Sequence, residues 1–122
     1  MKPIKAAIVS VEGKKLKDEE KSLIKKENPL GIALFVRNVE NPKQLKKLIQ
    51  NIKASAGRDD ILIAIDQEGG RVCRLSAPYW RPYAAQAAIG ALPIEQAKEA
   101  SRLHADLIAH DLQALGESSW NG

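Results

Sequence analysis

The sequence predicts an α/β fold with parallel strands joined by right-handed helical crossovers. Three observations carry that expectation. Short apolar runs alternate with amphipathic stretches in the order strand, helix, strand, helix, strand, loop, helix. The run Ile61–Ile65 is rich in β-branched residues and too short for a helix, so it reads as a buried parallel strand. Directly after it stand Asp66, Gln67, Glu68, Gly69, Gly70, Arg71 and Arg74. Two acids, a glycine pair and two arginines suit a polar site at the mouth of an α/β sheet or barrel rather than a core.

Each element has its own local signal. Ala6–Val11 is an apolar first strand, ended by Glu12-Gly13. Asp18–Glu27 reads as a short amphipathic helix with Asp18 as N-cap. Asn28-Pro29 stops it, because the residue before proline avoids the helical region. Gly31–Val36 is the second strand, with Arg37-Asn38 at its end. Asn41 caps the next helix and Pro42 occupies its first position, where a missing N–H costs nothing. Leu45, Leu48, Ile49 and Ile52 form its apolar stripe, and Gly57 ends it. Pro78, Tyr79, Trp80, Pro82 and Tyr83 crowd an irregular loop holding three of the five aromatic residues. That concentration suits either a wall beside the site or a cover for the sheet end. The longest periodic segment is Ile94–Leu115. Ile94, Ala97, Ala100, Leu103, Leu107 and Ala114 supply its apolar face, with Ile108, Leu112 and Leu115 beside them, and Gly116 follows as a C-terminal glycine.

Composition narrows the function classes. The chain has 122 residues, the size of one domain, and 44% of them are hydrophobic, enough for a core. The net charge of +4 comes from lysines scattered along the chain without interleaved aromatics, so neither nucleic acid nor an anionic membrane is expected as a partner. No stretch approaches the ~20 apolar residues of a membrane span, and the N-terminus lacks a signal-peptide run; a soluble, cytoplasmic chain is expected. Cys73 is the single cysteine, which excludes an internal disulfide. It reads as a half-buried small residue, with a reactive thiol as the alternative because Arg71 and Arg74 are near in sequence. His104 and His110 are six apart on the last helix and cannot share one face as metal ligands do, so they read as exposed structural residues. No metal and no cofactor are expected. No dinucleotide or P-loop glycine motif is present to favour a small nucleotide-binding domain.

The stretch DQEGGRVCRL, from Asp66 to Leu75, resembles the signature of family 3 glycoside hydrolases, in particular the bacterial β-N-acetylhexosaminidases. Gly31–Asn38 and Asn41–Leu45 resemble the same family's second strand and second helix, and the likeness runs from about Ala6 to Gly116. The resemblance implies part of a (β/α)8 TIM barrel, about three parallel strands with flanking helices. It also implies a retaining hydrolase that releases terminal non-reducing N-acetylglucosamine in peptidoglycan and muropeptide recycling.

By that resemblance Asp66 and Arg74 are the substrate-binding residues, a carboxylate accepting from sugar hydroxyls and a guanidinium donating to them. On its residues alone, Asp66 could equally be a strand-end cap. Glu68 and Arg71 would be structural, as an ion pair ordering the loop, and Gly69 and Gly70 would let the backbone turn. The family's nucleophilic Asp and acid/base His have no counterparts in this chain, so no catalytic residue is assigned.

Residues 1–116 are read as the N-terminal part of the barrel domain and 117–122 as a tail foreign to the family. The abrupt change at Gly116 leads us to expect truncation, a frameshift or a deliberately shortened chain. Three strands cannot close a barrel, so open edges and self-association are expected. Binding of an N-acetylglucosamine-containing saccharide should be weak or absent, and hydrolysis absent. The alternative is a non-catalytic remnant, or a small α/β binding domain that oligomerises.

Overall fold

The first strand, β1 (Lys5–Ser10), leads through α1 (Asp18–Glu27) to β2 (Pro29–Leu34), and α2 (Pro42–Ala56) leads on to β3 (Leu62–Ile65). The three strands are parallel, in the order β1-β2-β3. This is the α/β arrangement expected, with helices in both crossovers. The computed structural model describes residues 2–69, 72–76, 78–81 and 83–116, the side chains of Glu68 and Val72 excepted. The chain divides into two units, Met1–Ile65 and Asp66–Gly122.

In the first unit, α1 and α2 pack side by side. Leu45, Leu48, Ile49 and Ile52 of α2 are 0–4% exposed, as the stripe predicts, and join Ile24, Ile32 and Leu34 in the core. Register decides which side of the sheet they share. Val9, Ile32 and Ile63 are paired neighbours, and so are Ile8, Gly31 and Leu62. Neighbours in register share a face, and successive residues alternate faces. Ile32 is fully buried, whereas Ile8 is 52% and Leu62 50% exposed.

The expectation of a buried third strand is therefore corrected. Ile61 is buried, but β3 itself alternates exposed Leu62 and Ala64 with partly buried Ile63 and Ile65, because one face of the sheet carries its side chains uncovered. Gly31 makes that face possible. A Cβ there would lie 2.7 Å from the Leu62 carbonyl oxygen and 2.8 Å from the Leu62 Cβ.

Element boundaries also move. The N-cap of α1 is Lys17, not Asp18: the Glu20 carboxylate reaches back to accept the Lys17 N–H at 2.9 Å, which closes the first turn from inside the helix. The second strand spans Pro29–Leu34 rather than running to Val36, and Val36–Asn38 form a 3₁₀ turn. Asn38 causes this. Its fully buried side chain accepts the Phe35 N–H at 2.9 Å and donates to the Val11 and Gly13 carbonyls at 3.1 and 2.8 Å. The caps of α2 stand as read: Asn41 accepts from the Gln44 N–H at 2.8 Å, and Gly57 adopts φ +70°.

At the other ends of the strands, Asn28 sits at φ +48° and donates to the Lys2 and Pro3 carbonyls. Arg58 then bridges Asn28, the Pro29 carbonyl and Asp60. This network ties together the chain entering all three strands.

In the second unit, the stretch after β3 is not an open loop. It forms a two-stranded antiparallel hairpin, β4 (Gln67–Gly69) and β5 (Val72–Cys73), followed by the irregular aromatic segment, a short helix α3 (Gln86–Gly90) and α4 (Ile94–Gly116). The half-buried stripe of α4 keeps most of the expected apolar positions, adds His104 and Asp111, and leaves out Ile94 and Leu103. It runs through Ala97, Ala100, His104, Leu107, Ile108, Asp111 and Leu112 to buried Leu115, while Ile94 and Leu103 are 71% and 57% exposed. The helix turns this way because polar side chains on that stripe have partners in its own unit, as described next. Gly116 closes the helix, and the tail 117–122 lies outside the described residues.

Candidate functional site

Asp66 is the residue that follows β3, and the hairpin brings Arg74 back beside it. The Arg74 backbone N–H donates to the Asp66 carbonyl at 3.2 Å. Their side chains meet with Arg74 Nη2 3.7 Å from Asp66 Oδ2. The Asp66 side chain is 61% exposed and that of Arg74 30%. At 3.7 Å the contact is electrostatic rather than a hydrogen bond. A pair this exposed contributes ~0–1 kcal/mol. The carboxylate lone pairs and guanidinium N–H groups are thus not consumed by one another. Two residues eight apart in sequence present an acceptor and a donor fork at one place.

Gln67 holds this arrangement from below, and sequence reading passed over it. It is 8% exposed; its Nε2 donates to the Leu75 carbonyl at 2.9 Å and its Oε1 accepts the Leu75 N–H at 3.0 Å. The signal was its position in the motif, between two residues that drew attention by charge. Cys73 is half-buried, and burial pushes its thiol above the ordinary range. Its Sγ–H also donates to the Leu75 carbonyl, at 3.1 Å. Burial and this bond both favour the protonated thiol.

Gly69 sits at φ +93°, and a Cβ there would lie 2.2 Å from the Ala84 carbonyl oxygen. The turn therefore requires glycine twice, for its dihedral and for the close approach. Gly70, Arg71 and the side chain of Glu68 lie outside the described residues, and with them the expected Glu68–Arg71 ion pair.

The aromatic segment is fastened to α4. Arg81 makes a two-point pair with Asp111, Nε to Oδ2 at 3.0 Å and Nη2 to Oδ1 at 2.9 Å, and the Tyr83 hydroxyl donates to the same carboxylate. Burial, with the Asp111 carboxylate adding to it, drives the Tyr83 hydroxyl far above the ordinary tyrosine value. Tyr79 stays exposed and meets Trp80 edge-to-face at 6.0 Å.

His104 is a correction. It is half-buried rather than exposed, because the Tyr83 ring packs edge-on against it at 5.4 Å. Its Nε2 has no hydrogen-bond partner among the described residues and lies beside Gly69. His110 is exposed. Tyr83, His104 and the apolar side chains of α3 and α4 line a cavity of about 350 Å³. A second cavity, of about 630 Å³, belongs to the first unit, around Asn28, Arg58 and Asp60 at the strand ends remote from the Ile65–Asp66 junction. Among the described residues no three His, Cys, Asp or Glu side chains gather as a metal site requires.

The chain is a helix-flanked parallel sheet whose third strand is followed by a hairpin carrying an acid and an arginine, and the family comparison shows where such a chain belongs. Residues 4–117 match the N-terminal domain of glycosyl hydrolase family 3, and the chain belongs to that family. Its relatives there are β-hexosaminidases. It is 35% identical to the β-hexosaminidase of Pseudomonas aeruginosa over 109 residues, covering 89% of this chain and 31% of that protein. Against the β-hexosaminidase of Psychromonas ingrahamii it is 42% identical over 81 residues, 66% of this chain and 23% of the relative. Among solved structures, NagZ from Neisseria gonorrhoeae in complex with N-trifluoroacetyl-D-glucosamine superposes with a TM-score of 0.85 at 31% identity. That match covers 93% of this chain and 34% of NagZ. A family 3 β-N-acetylglucosaminidase from Paenibacillus sp. FPU-7 follows at 0.73 and 33%, covering 88% of this chain and 20% of its own. The chain spans about a third or less of the length of these relatives.

Proposed function

We propose that this chain carries the sugar-holding part of a β-N-acetylhexosaminidase site, with Asp66 and Arg74 as the two substrate-binding side chains. One observation carries the reading: the acid and the arginine converge to 3.7 Å at the end of the third parallel strand, both still partly open to solvent. A carboxylate accepts hydrogen bonds from adjacent sugar hydroxyls, and a guanidinium donates to neighbouring oxygens in a fixed fork. Together they fit a terminal N-acetylglucosamine, and the N-trifluoroacetyl-D-glucosamine held by the related NagZ is consistent with that ligand. The parent activity in this reading is release of terminal N-acetylglucosamine during peptidoglycan recycling in the cytoplasm.

Magnitude separates holding from cutting. Hydrolysis requires roughly 8–23 kcal/mol of barrier lowering. Retaining glycosidases obtain it from a nucleophile and an acid/base group on opposite sides of the bond. Two charge-assisted contacts supply about 3–6 kcal/mol gross, from which ordering is subtracted. The 122-residue chain should therefore bind the monosaccharide at about millimolar strength and leave a chromogenic N-acetyl-β-glucosaminide intact. Both are measurable on one preparation. Probe binding that survives Asp66→Ala and Arg74→Ala would remove the proposed site; turnover that disappears in Asp66→Ala would remove the claim of holding without cutting.

A further inference from the structure

We infer that Gln67 is the positioning residue that sets the spacing of Asp66 and Arg74, through a two-point side-chain clamp on the Leu75 main chain. This rests on the reading of Asp66 and Arg74 as the sugar-holding pair. The ladder of the hairpin that carries them is short. Its strands are three and two residues long, and its register is irregular between Gln67 and Gly69. A two-stranded hairpin of that size is marginal by itself.

Gln67 extends the ladder with its side chain. The carboxamide gives Leu75 the donor and the acceptor that a neighbouring strand residue would give, at 2.9 and 3.0 Å. Gln67 and Leu75 are 8% and 0% exposed, so water does not compete for either bond. Asp66 precedes one end of the clamp and Arg74 precedes the other, and the Arg74 N–H to Asp66 carbonyl bond closes the rung between them. The clamp selects its residue type. Methionine has nearly the same length and neither bond. An ionised glutamate can accept from the Leu75 N–H but repels the Leu75 carbonyl. A protonated glutamate restores both contacts.

That last property supplies the test, on the full 122-residue chain. Gln67→Met and Gln67→Glu are compared with the parent at about pH 7.5 and about pH 5, a span that crosses the titration of a buried glutamate. Two quantities are read: the exchange protection factor of the Arg74 amide, and binding of N-trifluoroacetyl-D-glucosamine by its fluorine resonance. For Gln67→Met we expect protection and probe affinity each to fall about tenfold or more at both pH values. For Gln67→Glu we expect the same loss at the higher pH and recovery toward the parent at the lower. General destabilisation would not return on acidification.

Parent-like Arg74 protection in Gln67→Met, or a Gln67→Glu loss indifferent to pH, would overturn the inference. A parent chain that never binds the probe, while Arg74 protection still follows the glutamate's protonation, sinks the sugar reading and leaves the clamp standing.

Discussion

Two carboxamides do the same work at different places in this chain. Asn38 satisfies one N–H and two carbonyls around the turn after β2, and Gln67 satisfies the N–H and carbonyl of Leu75. A side chain that both donates and accepts can stand in for a missing strand. Removing Asn38 takes a bond from three main-chain groups, of which the Val11 carbonyl keeps Arg37 Nε at 3.2 Å, so Asn38→Ala should cost about 2–4 kcal/mol in denaturant unfolding. An unchanged midpoint would mean water replaces those bonds. Gly31→Ala should cost about 1–3 kcal/mol, since its Cβ meets Leu62 backbone rather than a movable side chain. The same substitution at Gly57, at φ +70° but with nothing within 4 Å, carries only the dihedral strain and should cost less.

At the scale of elements, the informative one is α4. Its half-buried stripe takes in His104 and Asp111 beside the expected apolar positions and leaves Ile94 and Leu103 outside. A hydrophobic pattern alone placed Ile94 and Leu103 inside; the structure spends that face on Asp111, which holds Arg81 and Tyr83. Asp111→Ala should free the aromatic segment, read as loss of amide protection from residues 78–84.

The pH dependence of this contact follows from Tyr83. Its folded value is raised above the ordinary 10.0, chiefly by burial. The stability it contributes is therefore complete below pH 10.0 and is lost as pH rises beyond it, because the unfolded chain ionises first. The melting temperature should decline on that alkaline side, and Tyr83→Phe should flatten the decline. An equally steep decline in the phenylalanine variant would assign the slope to other groups.

For the molecule as a whole, the consequential feature is the apolar sheet face of the first unit. Ile8 and Leu62 stand about half exposed on either side of Gly31, and among the described residues β1 and β3 each pair on one side only. In a closed barrel such a face is filled by layers of inward side chains and no edge remains. Exposed, it favours self-association. Sedimentation should reveal concentration-dependent assembly of the 122-residue chain, relieved by Ile8→Lys combined with Leu62→Lys. A parent that stays monomeric at high concentration would refute this. The net charge of +4 acts against association but is spread too thinly to prevent it.

By itself the sequence determined the strand–helix alternation, the caps of α2, its buried stripe and the pairing of Asp66 with Arg74 in one motif. Each of those is written locally, in periodicity, in a cap residue or in a run of unusual composition. Only the tertiary structure decided that the motif is a hairpin, that Gln67 clamps it, that His104 is drawn inward by Tyr83, and that Asp111 is worth burying. Those outcomes depend on which distant groups meet. A polar residue's burial is set by the partner that satisfies it, and no spacing along the chain names that partner.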